Sequence, residues 1–328
     1  MNSLLAGAAL GLAAVCASAQ AQQFYHLDAA ATLKGAAPDW DHVTLDPARG
    51  YLFIGRRHDG VTVFDVNSQK VVRNIDRSED ANTTVLVPEF DRGYTINEDG
   101  TTTVFHLSTL ESIDRIKVGE NADAAFYDPA TRQLVFTMGD SKKVAFVNAG
   151  TGKMLGELPM DSKKLEGTVP DGDGNLFMAI RDRNLVVRID AAQRKLTGQW
   201  STAPCEEPTS IAFDRAGQRI FVGCRGKSPM LAVLDSGSGK LVTTLEIGRG
   251  NDGVIYDQVN PDTYKLSEAT TTRPYARTMD LDPKTKKVYL VTAEGTADPA
   301  RKINKAVAPF YPNHYFPDTF TVLTYSPR

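Results

Sequence analysis

The sequence predicts an all-β chain folded as a seven-bladed β-propeller, and three observations carry that expectation. A turn marker recurs at near-constant spacing, short runs alternate apolar with polar residues, and Gly, Asp, Asn and Pro punctuate the gaps. The marker stands at Asp46, Pro88, Asp128, Asp171, Asp214, Asp257 and Asp282, at intervals of 42, 40, 43, 43, 43 and 25 residues. A period of this length holds four short strands with their turns, so seven markers give seven blades around a central channel.

Taken in chain order, the first segment is a leader. Residues 1–21 carry an apolar run from Leu4 to Val15, too short to span a bilayer, followed by small residues up to Ala21. This pattern predicts a secretory signal peptide, although no Lys or Arg precedes the run. Val15 before Cys16 is too large for the usual lipoprotein cleavage site. Residues 22–328 then form a single propeller domain, periplasmic or secreted, with no transmembrane segment.

The next element, "FYHLDAAATL", is an orphan strand with no unit of its own. It is expected to pair with the terminal "FTVLTYS" and close the ring, which removes an open sheet edge. Complete units follow, each with a first half such as "HVTLDPARGYLFIG" and a second such as "GVTVFDVNSQKVV". The sixth unit, "GVIYDQVNPDTYKL", is 18 residues short of the usual 43, about two strands of ~5 to 6 residues with their connections. Strands one and four of a blade run antiparallel, so the expectation is a blade shortened to about two strands, closed as a hairpin by "QVNPD". The alternative is a lesion in the gene. The seventh unit, "ARTMDLDPKTKKVYLV", is interrupted by a 26-residue insertion from Glu294 to Thr319 that carries Arg301, Lys302, Lys305, Phe310, Tyr311, His314, Tyr315 and Phe316. A connection this long is usually functional. It either covers the channel mouth or caps the edge of the shortened neighbour.

Composition sets outer bounds. The 328 residues are 41% hydrophobic and 23% charged, which is globular, and the net charge is −3 with no basic block. Nucleic acid is therefore not the expected partner.

With the repeat in hand, the chain resembles the YVTN-repeat propellers of the YncE-like group, exported bacterial proteins similar in fold to WD40 and lactonase-type propellers. The most specific stretches are "CEEPTSIAFDRAGQRIFVGCRGK", "GNDGVIYD" and "RPYARTMDLDPKTKKVYL". The resemblance implies fold and compartment, and no single chemistry. The short sixth unit departs from the family pattern.

Catalytic motifs are absent: there is no CxxC, HExxH or G-x-S-x-G. "GTGK" and "GSGK" look like phosphate loops, but both lack the leading Gly and the following Ser or Thr, and both fall in turns. The five histidines show no metal-pair spacing. Cys205 and Cys224 flank the first two strands of the fifth unit at the same end, which makes them a candidate disulfide in an oxidising compartment.

The column five residues before each marker reads Asp41, Thr83, Asp123, Glu166, Thr209, Asp252 and Arg277. These positions enter the innermost strands, so four carboxylates and one arginine are expected at one channel mouth, with Trp40 and Glu207 beside them. Two readings stay open. Carboxylates at short range repel unless a cation or donor stands between them, and Asp41, Asp123, Glu166 and Asp252 are candidate oxygen ligands for calcium or magnesium. Equally, they can accept hydrogen bonds that tie the blades together. The function expected is a non-catalytic scaffold that binds an exported protein or small ligand through this face. The alternative is a metal-assisted lactonase or lyase, in which His42 or His314 moves a proton.

Overall fold

The computed structural model describes residues 24–328 except 36–38, 120, 121, 123, 252, 258–263, 265, 267 and 301–311. The leader expected over 1–21 lies outside the described residues. Among those described, no helix is long and apolar enough to cross a membrane.

The chain is an all-β propeller of four-stranded antiparallel blades. Blade 1 is built from Val43–Asp46, Tyr51–Gly55, Val61–Asp65 and Lys70–Asn74, and blade 2 from Ala81–Val87, Arg92–Asn97, Thr101–His106 and Ser112–Lys117. Blade 3 comprises Ala124–Asp128, Gln133–Met138, Lys143–Asn148 and Met154–Pro159. Blade 4 comprises Leu165–Pro170, Asn175–Ile180, Leu185–Asp190 and Lys195–Ser201, and blade 5 Pro208–Asp214, Arg219–Cys224, Met230–Asp235 and Leu241–Glu246. A closing blade combines Thr278–Leu281, Val288–Thr292 and Thr321–Pro327 with the N-terminal strand Tyr25–Thr32, which pairs with Thr321–Pro327 from Tyr25 opposite Pro327 to Thr32 opposite Thr321.

Of the seven turn markers, Asp46, Asp128, Asp171, Asp214 and Asp282 work as Asx turns. Asp46 Oδ1 accepts the N–H groups of Ala48 and Arg49 at 3.0 and 3.2 Å, and Asp171, Asp214 and Asp282 accept from Asp173, Ala216 and Lys284 at 2.7, 3.0 and 2.9 Å. The short side chain caps backbone donors that a tight turn leaves unpaired, which is why Asp recurs there.

Alternation along each strand sends neighbouring residues into opposite blade junctions. In blade 3, Leu134 and Phe136 pack against Tyr94 and Ile96 of blade 2, whereas Val135 and Phe146 pack against Leu176 and Met178 of blade 4. The same holds round the ring, with Phe53 meeting Phe105 at 5.7 Å between blades 1 and 2 and Tyr289 and Val291 meeting Leu52 and Ile54 between the closing blade and blade 1. Each such fully buried side chain contributes roughly 1.5–3 kcal/mol. Gly55 marks a close approach of blades 1 and 2, since a Cβ there would stand 2.3 Å from the Asn82 carbonyl oxygen.

One junction differs, and it corrects the expected blade count. Among the described residues six blades form, all four-stranded, and there is no seventh, two-stranded blade. Among the described residues, no strand lies between Glu246 and Thr278, and no core cluster joins blade 5 to the closing blade. The start of this segment still follows the side of blade 5. The Asn251 side-chain Oδ1 sits against Gly223 and accepts from Ser210 Oγ, its backbone carbonyl oxygen accepts from Arg225 Nε, and Tyr256 stacks on Phe221 at 5.2 Å. Tyr264 meets the same ring edge-on at 6.1 Å. Asp257 makes an ion pair with Lys286 of the closing blade at 2.7 Å. The segment is thus a strap across the seventh-blade position. The expectation failed because Tyr256 of "GVIYD" packs on blade 5 and, among the described residues, no second strand lies beside the segment with which it would form a ladder.

Candidate functional site

The first strands are innermost: those of blades 1 and 2, 2 and 3, 3 and 4, and 4 and 5 are neighbours, as are those of the closing blade and blade 1. Antiparallel pairing returns each second strand to the face at which the first one enters. Strand-one entries and strand-two exits therefore share one mouth, and the closing blade's long connection after Thr292 leaves from the same side.

Arginines at two strand-two exits meet two of the predicted carboxylates, Asp41 and Glu166. In blade 1, Arg57 Nη2 donates to Asp41 Oδ2 at 2.9 Å and its other nitrogen pairs with Glu98 of blade 2. His42 lies 3.5 Å from the free Asp41 oxygen, Oδ1. In blade 4, Arg181 stands 3.6 Å from Glu166 and 3.2 Å from Glu207, which precedes the first strand of blade 5. Glu207 is held in a left-handed backbone conformation, φ 54°, with its N–H donating to Asn184 Oδ1 at 2.8 Å. Arg225 occupies the same exit position in blade 5. Sequence reasoning selected the acids and missed Arg57, Arg181 and Arg225. Their signal was a basic residue just after the second strand in "FIGRR", "MAIRD" and "VGCRG".

Arg277 and Trp40 form a different kind of pair. Trp40 is 1% exposed, with the Arg277 guanidinium 5.2 Å from its ring and Tyr315 and Phe320 packed at 5.1 and 5.7 Å. Arg277 Nη2 donates to the Trp40 carbonyl, and Thr278 Oγ1 donates to that of Asp41 at 2.6 Å, so this pair ties the closing blade to blade 1. Arg56 does the same nearby: it sits over Phe320 at 4.6 Å, and burial lowers its pKa against the opposing field of Asp59. Tyr315 belongs to the long connection, where His314–Tyr315 pairs with Gly295–Thr296. The described part of that connection therefore leans on the blade 1 side of the mouth. Residues 301–311, with Arg301, Lys302, Lys305, Phe310 and Tyr311, lie outside the described residues.

Asp123 and Asp252 also lie outside them. Among the described residues, no group of three or more His, Cys, Asp or Glu side chains could hold a metal ion. Asp41 and Glu166 each have a guanidinium beside them, which supplies the positive charge that a calcium or magnesium ion would otherwise bring. What the arrangement offers is a half-exposed array of alternating charge drawn from blades 1, 2, 4 and 5. Below it in blade 5, Cys205 and Cys224 are joined in a buried disulfide with Cα atoms 5.6 Å apart.

No protein-family model matches the chain, and no curated protein matches it. Solved structures do. The fold is similar to a chain of Kuenenia stuttgartiensis hydrazine synthase, with TM-score 0.59 and 17% identity over 79% of this chain and 75% of that one. It is also similar to a chain of a mitotic checkpoint complex, with TM-score 0.60 and 11% identity over 90% of this chain and 82% of that one. At these identities the likeness establishes the β-propeller fold and nothing finer.

Proposed function

We propose that this propeller is an exported, non-catalytic binding scaffold of the YncE-like kind, which takes a partner protein or small ligand on its mouth face. The observation that carries the reading is Arg181, which engages carboxylates of two successive blades, Glu166 and Glu207, while Glu207 stays half exposed. Such pairs are worth little to stability when solvated. They define a charge pattern that a complementary surface can read. Asp41, Glu166, Glu207 and Arg277, with Asp123 and Asp252, are the residues assigned to this face, and Trp40 supports it from beneath. Export is supported by the Cys205–Cys224 disulfide, a bond that persists in oxidising compartments, and by the apolar leader sequence.

The test is site-specific photo-cross-linking in the exporting cell, with the cross-linker at Glu207 on the mouth or at Val71 on the outer rim. The expected result is a discrete adduct of leader-free protein from Glu207, absent from Val71 and lost when Arg181→Glu is added. Equal adduct yields from both positions, or protein retaining its leader in the cytoplasm, would count against the reading.

A further inference from the structure

The strap fills the seventh-blade position unevenly. Its described residues cover the face of blade 5 with Tyr256 and Tyr264 on Phe221, whereas on the closing blade's matching face no described strap residue makes such an aromatic contact and Asp257, Glu268, Thr270 and Thr272 only line the far side of an opening. The burial of its strand Val288–Thr292 shows this. Tyr289 and Val291, turned toward blade 1, are 3% and 0% exposed, whereas Val288 and Leu290 on the opposite face are only partly buried. In blade 3 the equivalent strand, Gln133–Met138, is buried along its whole length. The open face borders a cavity of about 730 Å³ walled by Met279, Val288, Leu290 and Tyr325, with Phe24 and Tyr25 at its edge.

The charged groups of this cavity are already engaged within the protein. Lys286 holds Asp257 at 2.7 Å. Glu268 accepts from the Phe24 N–H at 2.9 Å and from Thr270 Oγ1 at 2.5 Å, and it lies in the field of Arg328. Among the described residues a charged ligand would find no unmatched partner here, and it would lose its hydration. An uncharged apolar one would take one sheet face out of water, at about 25 cal/mol per Å² of apolar surface. The volume lies in the range of small-molecule pockets, roughly 300–1,000 Å³.

We propose that the cavity left at the seventh-blade position is a second binding site, distinct from the mouth, for a neutral apolar small molecule with an aromatic or hydrocarbon body. Loss of a blade thus converts a blade junction into a pocket.

The probe is N-phenyl-1-naphthylamine, a neutral dye that fluoresces on leaving water, titrated into the full mature protein. Saturable binding is expected, weakened about tenfold or more by Leu290→Trp, which fills the cavity, and unchanged by Val71→Trp on the outer rim. Met279→Phe serves as a second filling variant should the first fold poorly, as judged by circular dichroism. Absence of saturable binding to folded protein would overturn the proposal, as would filling variants that bind like the parent. So would binding of an extended valine-rich peptide but not the dye, because the face would then belong to a β-strand partner.

Discussion

Among single residues, Asp280 carries the clearest electrostatic consequence. It lies on the innermost strand of the closing blade, and its Oδ2 accepts the Leu45 N–H of blade 1 at 2.7 Å. Burial raises its pKa, opposed by the N–H donors of Leu45 and Leu281. Because the folded value lies above the unfolded one, its contribution to stability is complete below the unfolded pKa and is lost as pH rises through the folded value. Asp280→Asn keeps an acceptor for Leu45 and removes the charge. Thermal melts across about pH 4 to 7 should show a flatter dependence for the variant and a higher Tm at neutral pH. A variant less stable at neutral pH would mean that the ionised carboxylate itself secures the junction.

Elements explain where the sequence could be read and where it could not. Asp46, Asp171, Asp214 and Asp282 recur because each caps a turn, and that local chemistry is visible in a single sequence. Asp257 has the same spacing and a different role, since its partner is Lys286 on another element. A spacing rule has no means of telling the two apart. Of the mouth column, Asp41 and Glu166 were legible as acids, but their partners Arg57 and Arg181 follow the neighbouring strand, and these arginines also reach Glu98 and Glu207 of the next blade, which no spacing along one strand reveals. The described residues of the strap between 247 and 277 form no strand, and Tyr256 is one of their anchors on blade 5. Burial and a hydrogen bond to Asp214 push its phenol pKa up to about 12. Tyr256→Ala should lose about 1 kcal/mol of aromatic contact with Phe221. Limited proteolysis should then cleave the strap near residues 253–257 several-fold faster while the far-ultraviolet spectrum of the blades is kept. Unchanged cleavage would show that the strap is held elsewhere.

For the whole molecule, the repeat made the propeller class legible, because stacking blades is how four-stranded units of this length bury both faces. The number of blades was not legible. Whether a two-strand remnant pairs as a hairpin or spreads along its neighbour depends on competing tertiary contacts, here Tyr256 and Tyr264 against Phe221. The result is a ring with five ordinary junctions, described by five core clusters, and one bridged by a strap. The mouth and the cavity both depend on that architecture. Hydrogen–deuterium exchange on the purified protein tests it most directly. The account predicts slow exchange in Arg219–Cys224 of blade 5 and Val288–Thr292 of the closing blade, with the amides of 253–257 exchanging faster by orders of magnitude. Protection of 253–257 equal to that of the flanking strands would reveal a seventh blade and contradict the account.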